Sequence, residues 1–229
     1  MEFIVLLIIV IILYLILRYI FEVNLKKIKE IGENKELDEL TKKYPENIEI
    51  CKNYLKKLNN ENVKIEEDKD SNTTLYLVMS DKIFIANLKD SYTRIQTIAH
   101  ECLHSIQSKK LLWSNFIFSN IYLIYFFITC ILGIFKVIPN KMLFLSILII
   151  LGLIYYAIRT YLEMDAMIKA RFLAKEYMED IKISSEEEID KIISKYEELN
   201  ILGIKYINFS FLSNIFLKII ILSTIFIIF

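Results

Sequence analysis

The chain contains only two histidines, His100 and His104, and they stand four residues apart. Glu101 follows the first, giving His100-Glu101-Cys102-Leu103-His104, an H-E-x-x-H pattern. Random placement of two histidines among this chain's glutamates would produce it in about one sequence in a thousand. The spacing has a physical use. Residues i and i+4 share one helix face, so both imidazoles can reach one metal ion at ~2.0–2.1 Å. A zinc ion there supplies Lewis acidity and brings the pKa of a water towards ~7. Glu101 can then take the water proton as general base and pass it to a leaving amine. The residue types point to hydrolysis of a peptide bond.

The helix phase fits that use. Tyr92, Ile95, Ile98, Ala99, Cys102, Leu103 and Ile106 form an apolar stripe, while His100, His104 and Gln107 lie opposite with Glu101 beside them. A catalytic zinc ion takes three protein ligands, and no histidine remains. Cys102 points to the apolar side. The third ligand is therefore expected to be a carboxylate, with Glu163 the best placed and Asp165 its competitor about 200° around the same helix. Tyr155, Tyr156, Arg159 and Tyr161 lie close enough in sequence to be candidates for stabilising an oxyanion.

The elements that must position these residues lie in polar stretches between apolar ones. Glu22 to Ile31 is expected to continue a preceding helix to about Gly32, and Pro45 to open an amphipathic helix ending near Leu58. Val63 and Ile65 suggest a short strand. Thr74–Met79 and Ile83–Ala86, flanking Ser80-Asp81-Lys82, read as a β-hairpin whose second strand could offer an edge to an extended peptide. Asp90 or Ser91 can cap the active-site helix, expected over 91–110. Ser185 and Glu188 form a capping box before a helix with the stripe Ile189, Ile192, Ile193, Tyr196 and Leu199.

The apolar stretches decide where this unit sits. Hydrophobic residues make up 55% of the 229 and mean hydropathy is +0.42, more apolar surface than a soluble domain of this size can hide. They fall in four runs, Phe3–Phe21, Trp113–Phe135, Met142–Ile158 and Phe209–Phe229, each near the ~20 residues that a bilayer-spanning helix requires. Lys plus Arg and Asp plus Glu number 28 each, so no basic field invites nucleic acid. Arg18, Lys26, Lys27 and Lys29 follow the first run, whereas Glu2 alone precedes it. The positive-inside rule then places Glu22–Leu112 in the cytoplasm. Lys109, Lys110 and Arg159 flank the second and third runs on that side. Cys51, Cys102 and Cys130 lack framework spacing and read as reduced thiols.

With these residues in view, the chain resembles the YugP-like family of bacterial membrane neutral zinc metallopeptidases. The likeness rests on Ala99-His100-Glu101-Cys102, His104 and Gln107, and on Glu163-Met164-Asp165-Ala166 with Ala170 after a hydrophobic hairpin. It departs at Leu103, where the family usually has Gly, and it lacks a His-Tyr-Asp-Pro-like stretch around Ser71–Tyr76. The resemblance implies zinc ligation by His100 and His104, catalysis by Glu101 and a gluzincin-like fold.

The expectation is a mainly α membrane protein with about four transmembrane helices and a small α+β zincin-like unit, a β-hairpin preceding the H-E-x-x-H helix. Residues 1–21 form an anchor, 22–112 the zincin-like segment, 113–158 a transmembrane hairpin, 159–207 the third-ligand segment and 208–229 the last span. Its function would be zinc-dependent peptide hydrolysis by a multi-pass protein of the cell membrane, with the site on the cytoplasmic side and a membrane-associated protein or peptide as substrate. The alternative is an inactive scaffold that retains the fold for binding. Arg94, Lys109 and Lys110 bracket the active-site helix and argue against an intramembrane protease.

Overall fold

The computed structural model describes residues 2–68, 71, 73–88 and 91–229. Along the chain run α1 (Glu2–Ile20), α2 (Leu25–Gly32), α3 (Lys35–Lys42), α4 (Asn47–Lys57), β1 (Lys64–Asp68), β2 (Leu75–Leu77) and β3 (Lys82–Ala86). They are followed by α5 (Arg94–Ile106), α6 (Lys109–Ile134), α7 (Lys141–Ile181) and α8 (Glu186–Ile228). The fold is mainly helical, with one small mixed sheet. It divides into two units, one of Met1–Val23, Trp113–Tyr161 and Lys205–Phe229, the other of Asn24–Leu112 and Leu162–Ile204.

The first unit is built from apolar helix. The helices containing α1, α6, α7 and α8 are long and apolar enough to cross a membrane. Tyr122, Leu145, Leu148, Ile215 and Leu222 pack inside, while Ile8, Leu15, Ile124 and Leu153 face outward, the pattern of helices solvated by lipid. Tyr125 donates to the Phe144 carbonyl at 2.9 Å, and Gly133 lets the Phe226 ring approach α6 closely. At one end Lys205 pairs with Glu22 at 2.7 Å; at the other Lys141 donates to the Phe226 carbonyl at 2.9 Å.

The second unit has a separate core of Leu37, Ile50, Tyr54, Ile83, Ile95, Ala170 and Ile192. Ile83 and Ile85 point into it, while Phe84 between them is only half-buried, as a strand with one covered face requires. The sheet order is β1-β3-β2, with β1 parallel and β2 antiparallel to β3. The hairpin is as expected, with Asp81 in the left-handed region at its turn. The second hairpin strand is central, however, so β3 offers no edge to a peptide; β1 and β2 are the edges.

Other expectations need correction. The first helix does not run on to Gly32: Glu22 has φ 47°, and Asn24 starts α2 by accepting from the Lys27 amide at 3.0 Å. Helix α3 was not foreseen; Asn34 caps it through the Leu37 amide. Helix α5 starts at Arg94 and stops at Ile106, because Gln107 turns extended at ψ 161°. Ile106, placed on the apolar stripe, is exposed. Arg94 does not bracket the helix from solvent. It is buried and donates to the carbonyls of Thr41, Tyr44 and Pro45 and to Asn47 Oδ1. Asp90, proposed as a cap, lies outside the described residues. Tyr92 fixes the approach to α5 instead: its amide donates to Asp38, its hydroxyl to the Ile31 carbonyl, and its carbonyl accepts from Tyr196. The Ser185–Glu188 capping box forms in both directions, at 2.9 and 3.3 Å, and the helix it opens runs without a break into the last apolar run.

Candidate metal centre

Helices α5 and α7 hold the candidate site between them. Ala166, Ala170 and Ala174 are fully buried on α7, in the same core as Ile98, Ala99 and Cys102 of α5. Gln96, His100 and His104 on α5, with Gln107 just beyond its end, line the facing edge. Gln96 donates to Asn200 of α8, whose own amide donates to the Met167 carbonyl at 3.0 Å. This polar ladder ties α5 to α7 through α8, four residues along from His100 and from Glu163.

Three donor atoms converge there. His100 Nε2 and His104 Nε2 are 3.0 Å apart, and Glu163 Oε2 lies 3.3 Å from the first and 3.7 Å from the second. His104 and Glu163 are each only 8% exposed. Two ring nitrogens and a carboxylate oxygen at these separations need a proton or a metal cation between them. The cluster has the composition and spacing to hold a metal ion.

Gln107 fixes how His104 presents itself. Its Nε2 donates to the Leu162 carbonyl at 2.9 Å and to Asp165 Oδ2 at 3.0 Å, so its Oε1 faces His104 Nδ1 at 2.8 Å. An amide oxygen can only accept, which puts the imidazole proton on Nδ1 and leaves the Nε2 lone pair aimed at the triad. Asp165, the competing ligand candidate, supports Gln107 and pairs with Lys169 rather than entering the triad. Burial opposes its charge, but the hydrogen bonds from Lys169 and Gln107 outweigh this and hold its carboxyl below the ordinary value. Sequence spacing put Gln107 on the ligand face; only the extended backbone at that residue turns its amide back onto His104. Replacing Gln107 with Ala is expected to weaken metal binding about 10–100-fold. Competition titration with a chelating dye will measure it, and unchanged affinity would remove this role.

Glu101 is buried beside the triad, and its Oε2 accepts the Tyr76 amide hydrogen of edge strand β2 at 2.7 Å. Burial pushes its pKa above the usual carboxylate value, against the opposing pull of His100, His104 and the Tyr76 amide. A carboxylate raised in this way is a better proton acceptor. Burial also opposes a charged His104, yet the hydrogen bond to Glu163 and the charges of Glu101 and Glu163 keep its pKa above the ordinary histidine value.

The thiol of Cys102 turns away from the triad, into the core, where its sulfur meets that of Cys51 at 3.6 Å. Both are free thiols, and burial lifts that of Cys102 well above its usual pKa. The oxyanion candidates belong to the first unit. Tyr156 donates to Asn208, Tyr155 stacks on Tyr122, and Arg159 lies over the Phe211 ring, all within the apolar unit. Tyr161 is exposed.

Fold and site thus define a mainly helical chain with membrane-span-like helices and a possible His/Glu metal cluster. No protein-family model matches the chain, and neither curated proteins nor solved structures give a match.

Proposed function

We propose that this chain is a membrane-bound zinc metallopeptidase of the YugP-like kind. The observation that carries the proposal is the convergence of His100, His104 and Glu163 with Glu101 buried alongside. Donors at ~2.0–2.1 Å from a tetrahedral ion lie about 3.3–3.4 Å from one another. The observed separations of 3.0, 3.3 and 3.7 Å bracket that value, so the donor set fits zinc. Two nitrogens and a carboxylate oxygen are also the ligand types of catalytic zinc sites.

When bound, the ion supplies Lewis acidity towards a peptide carbonyl and a water. The protein's own groups do the rest. Glu101, fixed in orientation by the Tyr76 amide, receives the water proton and delivers it to the leaving nitrogen. Gln107 holds His104 in the tautomer that donates through Nε2. Strand β2, whose amide already meets the catalytic carboxylate, is the edge next to the site. The positive-inside argument places this unit in the cytoplasm, where membrane-associated proteins or peptides are the substrates.

Zinc per chain is the deciding measurement, made by elemental analysis of the full protein in mild detergent. Near one zinc is expected in the wild type, with loss in His104→Ala and Glu163→Ala. Little zinc in the wild type after zinc is supplied would favour a binding scaffold, and full affinity in Glu163→Ala would remove it from the ligand set.

A further inference from the structure

The last apolar stretch carries a charge that the metal centre does not explain. Lys218 lies in the last apolar part of α8, and the structure brackets its depth. The Lys205–Glu22 ion pair marks one polar boundary and the Lys141–Phe226 contact the other. At ~1.5 Å per residue these boundaries are about 32 Å apart along α8, close to the ~30 Å hydrocarbon thickness. Lys218 is then about 20 Å from the first and about 12 Å from the second. A lysine side chain spans roughly 6 Å, so its ammonium falls short of either boundary.

Its partners are all neutral. The ammonium donates to Asn214 Oδ1 at 2.5 Å and lies 4.2 Å from the centroid of Tyr122 and 6.0 Å from that of Phe126. Among the described residues, none of its contacts is a carboxylate. Asn214, Leu217, Lys218 and Ile221 occupy one helix stripe at i, i+3, i+4 and i+7. Asn214, Leu217 and Ile221 on it are exposed, whereas Ile215, Ile219 and Leu222 are packed inside. An exposed amide and, beside it, a half-buried cation thus sit on this stripe at mid-membrane depth, where a charge is costly without a counter-charge.

We infer that this stripe is a docking site for a transmembrane helix of another protein that carries a carboxylate at matching depth. A second copy cannot provide it, because Asp and Glu are absent from all four apolar runs. A lipid phosphate lies at the boundary, beyond the reach of Lys218. The inference stands on the apolar unit alone and does not depend on the metal centre.

The test uses the full protein in phosphatidylcholine vesicles and synthetic single-span polyleucine peptides with a central Asp or Asn, followed by energy transfer. The Asp peptide is expected to bind about tenfold tighter than the Asn peptide. Lys218→Met should erase the difference and Lys218→Arg preserve it, with unchanged helical circular dichroism reporting intact folding. Equal binding of the two peptides, or a preference that survives Lys218→Met, overturns the proposal. Enrichment of phosphatidylglycerol that depends on Lys218, without an Asp preference, assigns the stripe to anionic lipid and overturns it equally.

Discussion

Glu101→Gln should keep its zinc and lose about a hundredfold to ten-thousandfold in peptide hydrolysis. The substitution is nearly isosteric, and the glutamine carbonyl can still accept the Tyr76 amide that Glu101 Oε2 accepts at 2.7 Å. What disappears is the capacity to take a proton and return it. None of the three converging donors belongs to residue 101, so loading is unaffected. Zinc content and single-turnover cleavage of a quenched fluorescent peptide, measured on one preparation, separate the two properties. A variant that cleaves like the wild type would show that Glu101 is not the base. One that loses its zinc would show the carboxylate to be part of the binding set.

The largest effect on stability is expected at Arg94, far from any chemistry. Its guanidinium is buried and donates to Thr41, Tyr44, Pro45 and Asn47, tying the end of α3 and the start of α4 to the first turn of α5. Arg94→Met matches much of the volume but takes the guanidinium donors from the Tyr44 and Pro45 carbonyls and Asn47 Oδ1, while the Thr41 carbonyl keeps the Lys43 and Tyr44 amides. A loss of about 3–5 kcal/mol follows from abandoning such groups. Arg94→Lys should recover only part of it, since one ammonium cannot reproduce a planar fork serving both sides. Denaturant unfolding of the full protein in detergent, followed by Tyr environment and protease resistance, will measure the change. A shift below about 1 kcal/mol would mean that water satisfies those carbonyls and the arginine is dispensable.

These two residues illustrate what the amino-acid sequence makes legible. The H-E-x-x-H helix, the apolar runs, the hairpin and the Ser185 capping box rest on local rules that act within one or two turns, and each could be read directly. Glu163 could be reached because only a carboxylate was left to complete the ligand set. Arg94 could not. A charged residue at a helix start looks solvated until three carbonyls and an amide from distant segments surround it. The same holds for β3, whose central place depends on β1 pairing from far along the chain, and for Gln107. Its spacing marked the face, but its function arises from a backbone that leaves the helix at that residue. The break at Glu22 was hidden for a different reason: a left-handed glutamate has no sequence signature.

The order of the three candidate donors along the chain also sets a clock. His100 and His104 leave the ribosome first, and Glu163 follows about 60 residues later, after both apolar runs of the hairpin. At ~5–20 residues per second, that interval lasts roughly 3–12 s. Throughout it the nascent chain offers two imidazoles and no closing carboxylate. The candidate three-donor set is therefore complete only once both apolar runs of the hairpin have been made.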